Sequence, residues 1–236
     1  MSKVFDKYVK YTLLLIVSCS WISCSTQKNT AASRSFHQTK VKYNIFFNGN
    51  IAFEEGLRAT MQANEDDYTN LLPLYPISNH KAAESATAQM DKTIEKCRKC
   101  IKLHSIKSKP KIDPKKRNEP TYKLWLQSEE FNNQMGNVWI RLGEAEFSKG
   151  DFLGSIGTFN YIIRHYQNDP DILARCHLWV ARAYAEMGWQ YEAEEALNKA
   201  QEESLARKHA AIYASTKADI LLKGKQYKDA IPFIKI

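Results

Sequence analysis

Residues 136–169, GNVWIRLGEAEFSKGDFLGSIGTFNYIIRHYQND, decide the fold. Large side chains stand at Trp139, Leu142, Phe147, Phe152, Ile156 and Phe159, with small ones at Gly143, Ala145 and Ser155. Small residues at those places let two antiparallel helices approach closely, and the large ones fill the space around the contact. Gly150-Asp151 reads as the turn, because a glycine ends a helix readily and an aspartate caps the next one. The spacing predicts a helical hairpin.

The pattern recurs downstream. In ARCHLWVARAYAEMGWQYEAEEALNKA (174–200), Ala183, Tyr184, Gly188, Ala193 and Leu197 keep the phase. In HAAIYASTKADILLKGKQYKDAIPFIKI (209–236), Gly224, Tyr227, Ala230 and Ile231 do so. Ser155 and Ala193 are 38 residues apart, and Ala193 and Ala230 are 37. The pattern of large and small residues resembles the tetratricopeptide repeat, with connecting turns slightly longer than usual. The expected fold class is all-α, a tetratricopeptide-type solenoid of helix pairs over 121–236, preceded by a repeat-like helical region. The last repeat stops two turns into its second helix. A solenoid needs a polar cap on its final apolar face, so a longer array is expected.

The first half is less regular. Residues 41–106 read as a helical N-terminal region, with Tyr43, Phe46, Phe47, Phe53 and Leu57 at helical spacing as core. Gly49, Ala52 and Gly56 mimic the small positions of a repeat. An ordered Leu71–Tyr75 loop closed by Pro76 follows. A second long helix over about 80–106 turns Ala83, Ala86, Met90, Ile94, Cys97, Ile101 and either Leu103 or His104 to one side. The Cys97-Arg98-Lys99-Cys100 motif lies deep in that helix, away from a helix N-terminus where thiol pKa falls, and zinc would need four ligands. A structural role is expected for these cysteines and for Cys176. Residues 107–120, KSKPKIDPKKRNEP, contain three prolines and dense lysine, which excludes a helix and predicts an extended connector.

The whole chain has 236 residues, is 44% hydrophobic and carries a formal charge of +8. That excess is local. Residues 95–117 hold ten basic side chains against Glu95 and Asp113, while the flanking regions nearly balance. Lys107, Lys109, Lys111, Lys115, Lys116 and Arg117 form a basic segment suited to an acidic partner or a membrane surface, or simply to solvent.

Residues 1–23 have Lys3, Lys7 and Lys10 ahead of a short apolar run, too short to span a bilayer, and read as a signal peptide. Ile22-Ser23-Cys24 resembles a bacterial lipobox, with Cys24 as the acylated residue. Trp21 departs from the usual leucine. Cys19, after Ile16-Val17-Ser18, is the alternative, but it shortens the apolar run. Residues 24–40 read as a polar tether. By analogy with bacterial lipoproteins, Ser25 and the absence of an acidic cluster after the cysteine imply a lipid-anchored protein on the periplasmic face of the outer membrane.

Longer stretches carry a more specific resemblance: NTAASRSFHQTKVKYNIFFNGNIAFEEG, DDYTNLLPLYPIS, MDKTIEKCRKCIKLHSIKSKPK and WLQSEEFNNQMGNVWIRLGEAEFSKGDFLGSIGTFNYIIRHY. Together they resemble the large tetratricopeptide lipoproteins of Bacteroidetes gliding motility and type IX secretion, the SprE/PorW kind. The resemblance implies a scaffold for protein secretion whose partners are other envelope components of that system, and it brings no catalytic residues.

The residues themselves also argue against an enzyme. No H-E-x-x-H, G-x-S-x-G or G-x-x-x-x-G-K motif occurs, and the six histidines are scattered. Neighbouring carboxylates such as Glu54/Glu55 and Glu129/Glu130 point differently on a helix. No cofactor, metal, nucleic acid or small-molecule substrate is expected. A groove for a protein partner is expected along the first helices, at Asn137, Ile140, Glu144 and Ser148, then Arg175, Leu178, Arg182 and Glu186. Outer-membrane barrel assembly and carbohydrate uptake are the alternative roles for a lipoprotein of this build.

Overall fold

Capping residues set where several helices begin. In the computed structural model, which describes residues 28–202 and 209–234, Thr30 accepts from Ser33 N and opens α1 (Ala31–Lys40). A single wide turn over Val41–Ile45, closed by Phe46 N–H donating to the Val41 carbonyl, carries the chain into α2 (Phe46–Ala63). Asn79 caps the short α3 (His80–Glu84), and α4 (Thr87–His104) follows. Pro120, at the first turn where its missing N–H costs nothing, starts α5 (Pro120–Gln127).

Then come the hairpins: α6 (Met135–Ser148) with α7 (Phe152–His165), α8 (Pro170–Glu186) with α9 (Gln190–Glu202), and α10 (Ala210–Lys223) with α11 (Tyr227–Ile234). Asp151 caps α7 and Asp169, followed by Pro170, caps α8. The described residues contain no strand. None of their helices is long and apolar enough to cross a membrane.

The longer helices pack in succession along the chain: α2 on α4, α4 on α6, α6 on α7, α7 on α8, α8 on α9, α9 on α10, and α10 on α11. The first members of the pairs also touch side by side, α2 on α6, α6 on α8 and α8 on α10. One core gathers Ile140, Phe159, Ile162, Cys176, Leu178, Leu197 and Ile220. A second, N-terminal to it, gathers Val41, Phe53, Met90, Cys97, Cys100, Met135 and Leu142. Burial of this kind, not helix propensity, stabilises helices of ten to eighteen residues.

A close approach of α6 and α7 lies where the opening stretch of sequence places it. The Ser155 hydroxyl donates to the Gly143 carbonyl at 2.9 Å, and the Phe159 ring covers the space where a Gly143 side chain would be. Gly150 (φ +89°) and Gly188 (φ +75°) take the left-handed conformation that ends α6 and α8. In the third hairpin the role passes to Lys225 (φ +60°), one residue after Gly224. Gly224 leaves room for Gln190, whose Nε2 donates to the Ile220 carbonyl at 3.0 Å, from the space a Cβ would take.

Several expectations are corrected. Residues 31–40 of the proposed tether are helical, because His37 buries its ring against His104 and the Arg34 guanidinium stacks over Trp125. The helix expected over 80–106 is broken at Ser85-Ala86, where the Ser85 hydroxyl donates to the Ala82 carbonyl. His104 faces the core and Leu103 does not. Of the aromatic group in α2 and the turn before it, Phe53 is buried whereas Tyr43 and Phe47 are exposed, since the wide turn rotates them off the core stripe. The first hairpin begins at Met135, with α5 standing before it. Residues 105–119 form no helix, as the prolines predict. The signal peptide, Cys19 and Cys24 lie outside the described residues.

Candidate functional site

Where α2, α6 and α8 lie side by side, a half-turn of helix geometry aims one stripe of each toward the same space. On α6 the stripe is Asn137, Arg141, Glu144 and Ser148; on α8 it is Arg175, Trp179, Arg182 and Glu186. Both follow the same spacing of four, three and four residues. Six of the eight residues expected from sequence fall on these stripes, and three of them, Glu144, Ser148 and Arg182, line the cavity between the helices. Ile140 and Leu178 do not: both are fully buried in the core between the hairpins. Arg141 and Trp179, one position later, take their places. Apolarity at 140 and 178 was the available signal that those positions face the partner helix.

A cavity of about 360 Å³ opens between these stripes and α2. Phe53, Leu57 and Met61 line it from α2, and Glu144, Ser148 and Arg182 from the other two helices. Its size falls in the range that holds small ligands or a few side chains. The fourth wall is the chain itself. After the extended Tyr75, a single tight turn at Pro76–Ser78 crosses the stripes as a strap. The Ser78 hydroxyl donates to both oxygens of the Glu186 carboxylate at 2.9 and 3.0 Å. Ile77 packs against Phe147, Ile156 and Ala183. Sequence reading recognised the ordered loop but not its destination, because its contact with Glu186 spans 108 positions.

Electrostatics at the site are dominated by desolvation. Arg182 is sandwiched between the Tyr75 ring at 4.1 Å and the Trp179 ring at 4.2 Å, and makes no salt bridge among the described residues. Burial lowers its pKa, opposed by nearby Tyr75, Asp219, Glu186 and Glu144. Its Nε and the Tyr75 hydroxyl are buried without hydrogen-bond partners. Burial raises the Glu144 pKa, opposed by Arg141, Arg175 and Arg182. Arg141 Nη1 pairs with Glu144 at 2.8 Å, while its guanidinium lies 4.1 Å over Phe53. Glu186 also receives Lys223 Nζ at 2.8 Å, which reaches Asp219 as well. Asn137 is exposed and accepts from Arg175 at 3.2 Å. The arrangement is an amphipathic recess with a cation on its floor, and the strap already fills one side.

The basic segment is dispersed over different tasks. Lys107 donates to the Tyr161 hydroxyl, and Lys109 Nζ donates to the Leu126 and Ser128 carbonyls at the end of α5. Lys111, Lys115, Lys116 and Arg117 are exposed. Glu130 holds the start of the connector by accepting from Ile106 N, Asn132 N and the Ser105 hydroxyl, while Glu129 turns away to His165. Cys97 and Cys100 are buried against Met135 and Leu142, and desolvation pushes both thiols up to about 12. Among the described residues no group of three or more His, Cys, Asp or Glu is placed to hold a metal ion. No protein-family profile matches the chain, and a search of curated proteins finds no match.

Proposed function

We propose that the chain is a non-catalytic tetratricopeptide-type scaffold, lipid-anchored to the periplasmic face of the outer membrane, that supports type IX secretion and gliding motility by binding other envelope proteins. The observation that carries the binding part of this reading is the shared stripe on α6 and α8 and the recess it forms with α2. Stacked helix pairs offer side chains from successive first helices to one extended partner segment. Those of them that line the recess are two arginines, a glutamate, a serine and a tryptophan beside an apolar wall, a mixture suited to protein rather than to a polyanion. The secretion and motility part rests on the resemblance of the sequence stretches given above.

The test is deletion of the gene in its host, followed by complementation with the native chain and with Arg182→Glu. Loss of secretion and gliding that the native chain restores supports the reading, and failure of Arg182→Glu to restore them places the recess in it. Normal secretion and motility in the deletion overturn it. A defect confined to outer-membrane barrel insertion points instead to barrel assembly.

A further inference from the structure

The start of the described chain does not trail away from the fold; it closes onto the basic connector. Asn29 Nδ2 donates to the Ser108 carbonyl at 2.7 Å, and Asn29 Oδ1 accepts from Arg34 Nη1 at 2.5 Å. This juxtaposition brings Lys28 and Arg34, which the sequence separates from the connector by about eighty residues, into one cavity with Lys109, Lys111 and Lys116. The cavity measures about 790 Å³, and Asp113 is the one carboxylate on its lining. Asp113 is partly engaged, its Oδ1 accepting from Lys115 N at 3.0 Å. Tyr122 and Trp125, stacked with ring centroids 5.4 Å apart, close the far side.

The cations differ in availability. Lys109 is spent on two carbonyls, and Arg34 on Asn29 and the Trp125 ring. Lys28, Lys111 and Lys116 are exposed and make no ion pair among the described residues. The sum is a concave surface with about four uncompensated positive charges and a stacked aromatic pair.

Chain length says which anion meets that surface. Cys24 precedes Lys28 by four residues, so even a fully extended chain spans at most ~14 Å between them. A lipid on Cys24 therefore holds the cavity within roughly one or two Debye lengths of the headgroups. Tyrosine and tryptophan rings also favour headgroup depth.

We infer that the cavity presenting Lys28, Lys111 and Lys116 docks the phosphate of an anionic phospholipid headgroup, seating the base of the helical array on the bilayer beside its anchor. The inference rests on the lipoprotein reading for the nearness of the membrane, but the surface binds through its own charges. The test therefore uses the full chain carrying Cys24→Ser, sedimented with vesicles of phosphatidylcholine with or without phosphatidylglycerol. Each lysine near an anionic surface strengthens binding by roughly fivefold.

Lys28→Gln, Lys111→Gln and Lys116→Gln together are expected to weaken binding to phosphatidylglycerol vesicles on the order of 100-fold. Binding to phosphatidylcholine alone should not change. A control with Lys81→Gln, Lys92→Gln and Lys225→Gln removes the same charge elsewhere and should bind nearly as the parent does. Equal losses in the two triple variants, or no loss in the first, overturn the proposal. Tight calorimetric binding of inorganic phosphate without vesicle binding also overturns it in favour of a soluble phosphate site. Whether Cys24 is lipidated is read separately, by membrane fractionation in the host, so a failed anchor and a failed docking surface give different results.

Discussion

Replacing Gly143 with alanine tests the close contact between α6 and α7. An ideal Cβ at 143 would stand 2.7 Å from Phe159 Cζ and 2.9 Å from each Cε, well inside van der Waals contact. The ring cannot easily yield. Phe159 is fully buried and lies parallel to the Trp179 ring, and the backbone beside it is fixed by the Ser155 hydroxyl on the Gly143 carbonyl. Overpacking of this kind costs about 1–3 kcal/mol, against about 1 kcal/mol gained from helix propensity when glycine becomes alanine. The expected net is a loss of up to about 2 kcal/mol.

Gly157 provides the matched control, because it sits inside α7 with no atom within 4 Å of its Cβ position. There the same substitution should stabilise by about 1 kcal/mol. Urea unfolding followed by far-ultraviolet circular dichroism measures both as midpoint shifts at constant slope. Adding Phe159→Leu to Gly143→Ala shortens the obstructing side chain and should recover part of the loss relative to Phe159→Leu alone. A Gly143→Ala protein stabilised as much as Gly157→Ala would refute the reasoning, since α6 and α7 could not then be in this contact.

Other outcomes are expected from the same structure. Lys225→Gly relieves a left-handed lysine and should raise stability by about 1 kcal/mol, read as a melting shift of roughly 2–4 °C; a fall would mean the turn is not left-handed there. Ser78→Ala and Glu186→Gln, combined in a double-mutant cycle, should show about 1.5 kcal/mol of coupling, because a hydroxyl bonded to a nearly buried carboxylate is involved; additivity would mean the strap is not seated.

Burial, then the neighbouring His37 and Lys40, lower the His104 pKa below 6.5. Below that pH the unfolded chain takes up the proton more readily than the folded one. This contribution to stability is therefore full above pH 6.5 and lost on acidification toward the folded value. His104→Gln should flatten that part of a stability–pH profile. Cys97 and Cys100, held up to about 12 by burial, should resist a thiol reagent at neutral pH until the protein is unfolded, as peptide mapping by mass spectrometry would show.

Local chemistry made the hairpins legible. Asp151 and Asp169 cap helices, Gly150 and Gly188 end them, and the Gly143, Ala145 and Ser155 positions mark where two helices touch, all within a window of a few turns. The prolines of the connector likewise exclude a helix by their own geometry. Facing was harder. A helix turns about 100° per residue, so taking Ile140 and Leu178 for Arg141 and Trp179 moves a side chain from the recess into the core.

What tertiary structure alone decided depends on contacts between distant parts of the chain. The Ser78 strap on Glu186, the Asn29 closure onto Ser108, and the folding of residues 31–40 against His104 and Trp125 each join segments with no shared local pattern. Sequence periodicity records how a helix meets its immediate neighbours. It carries no record of which remote loop settles across the face they build, because that is fixed by shape and desolvation once the helices are in place.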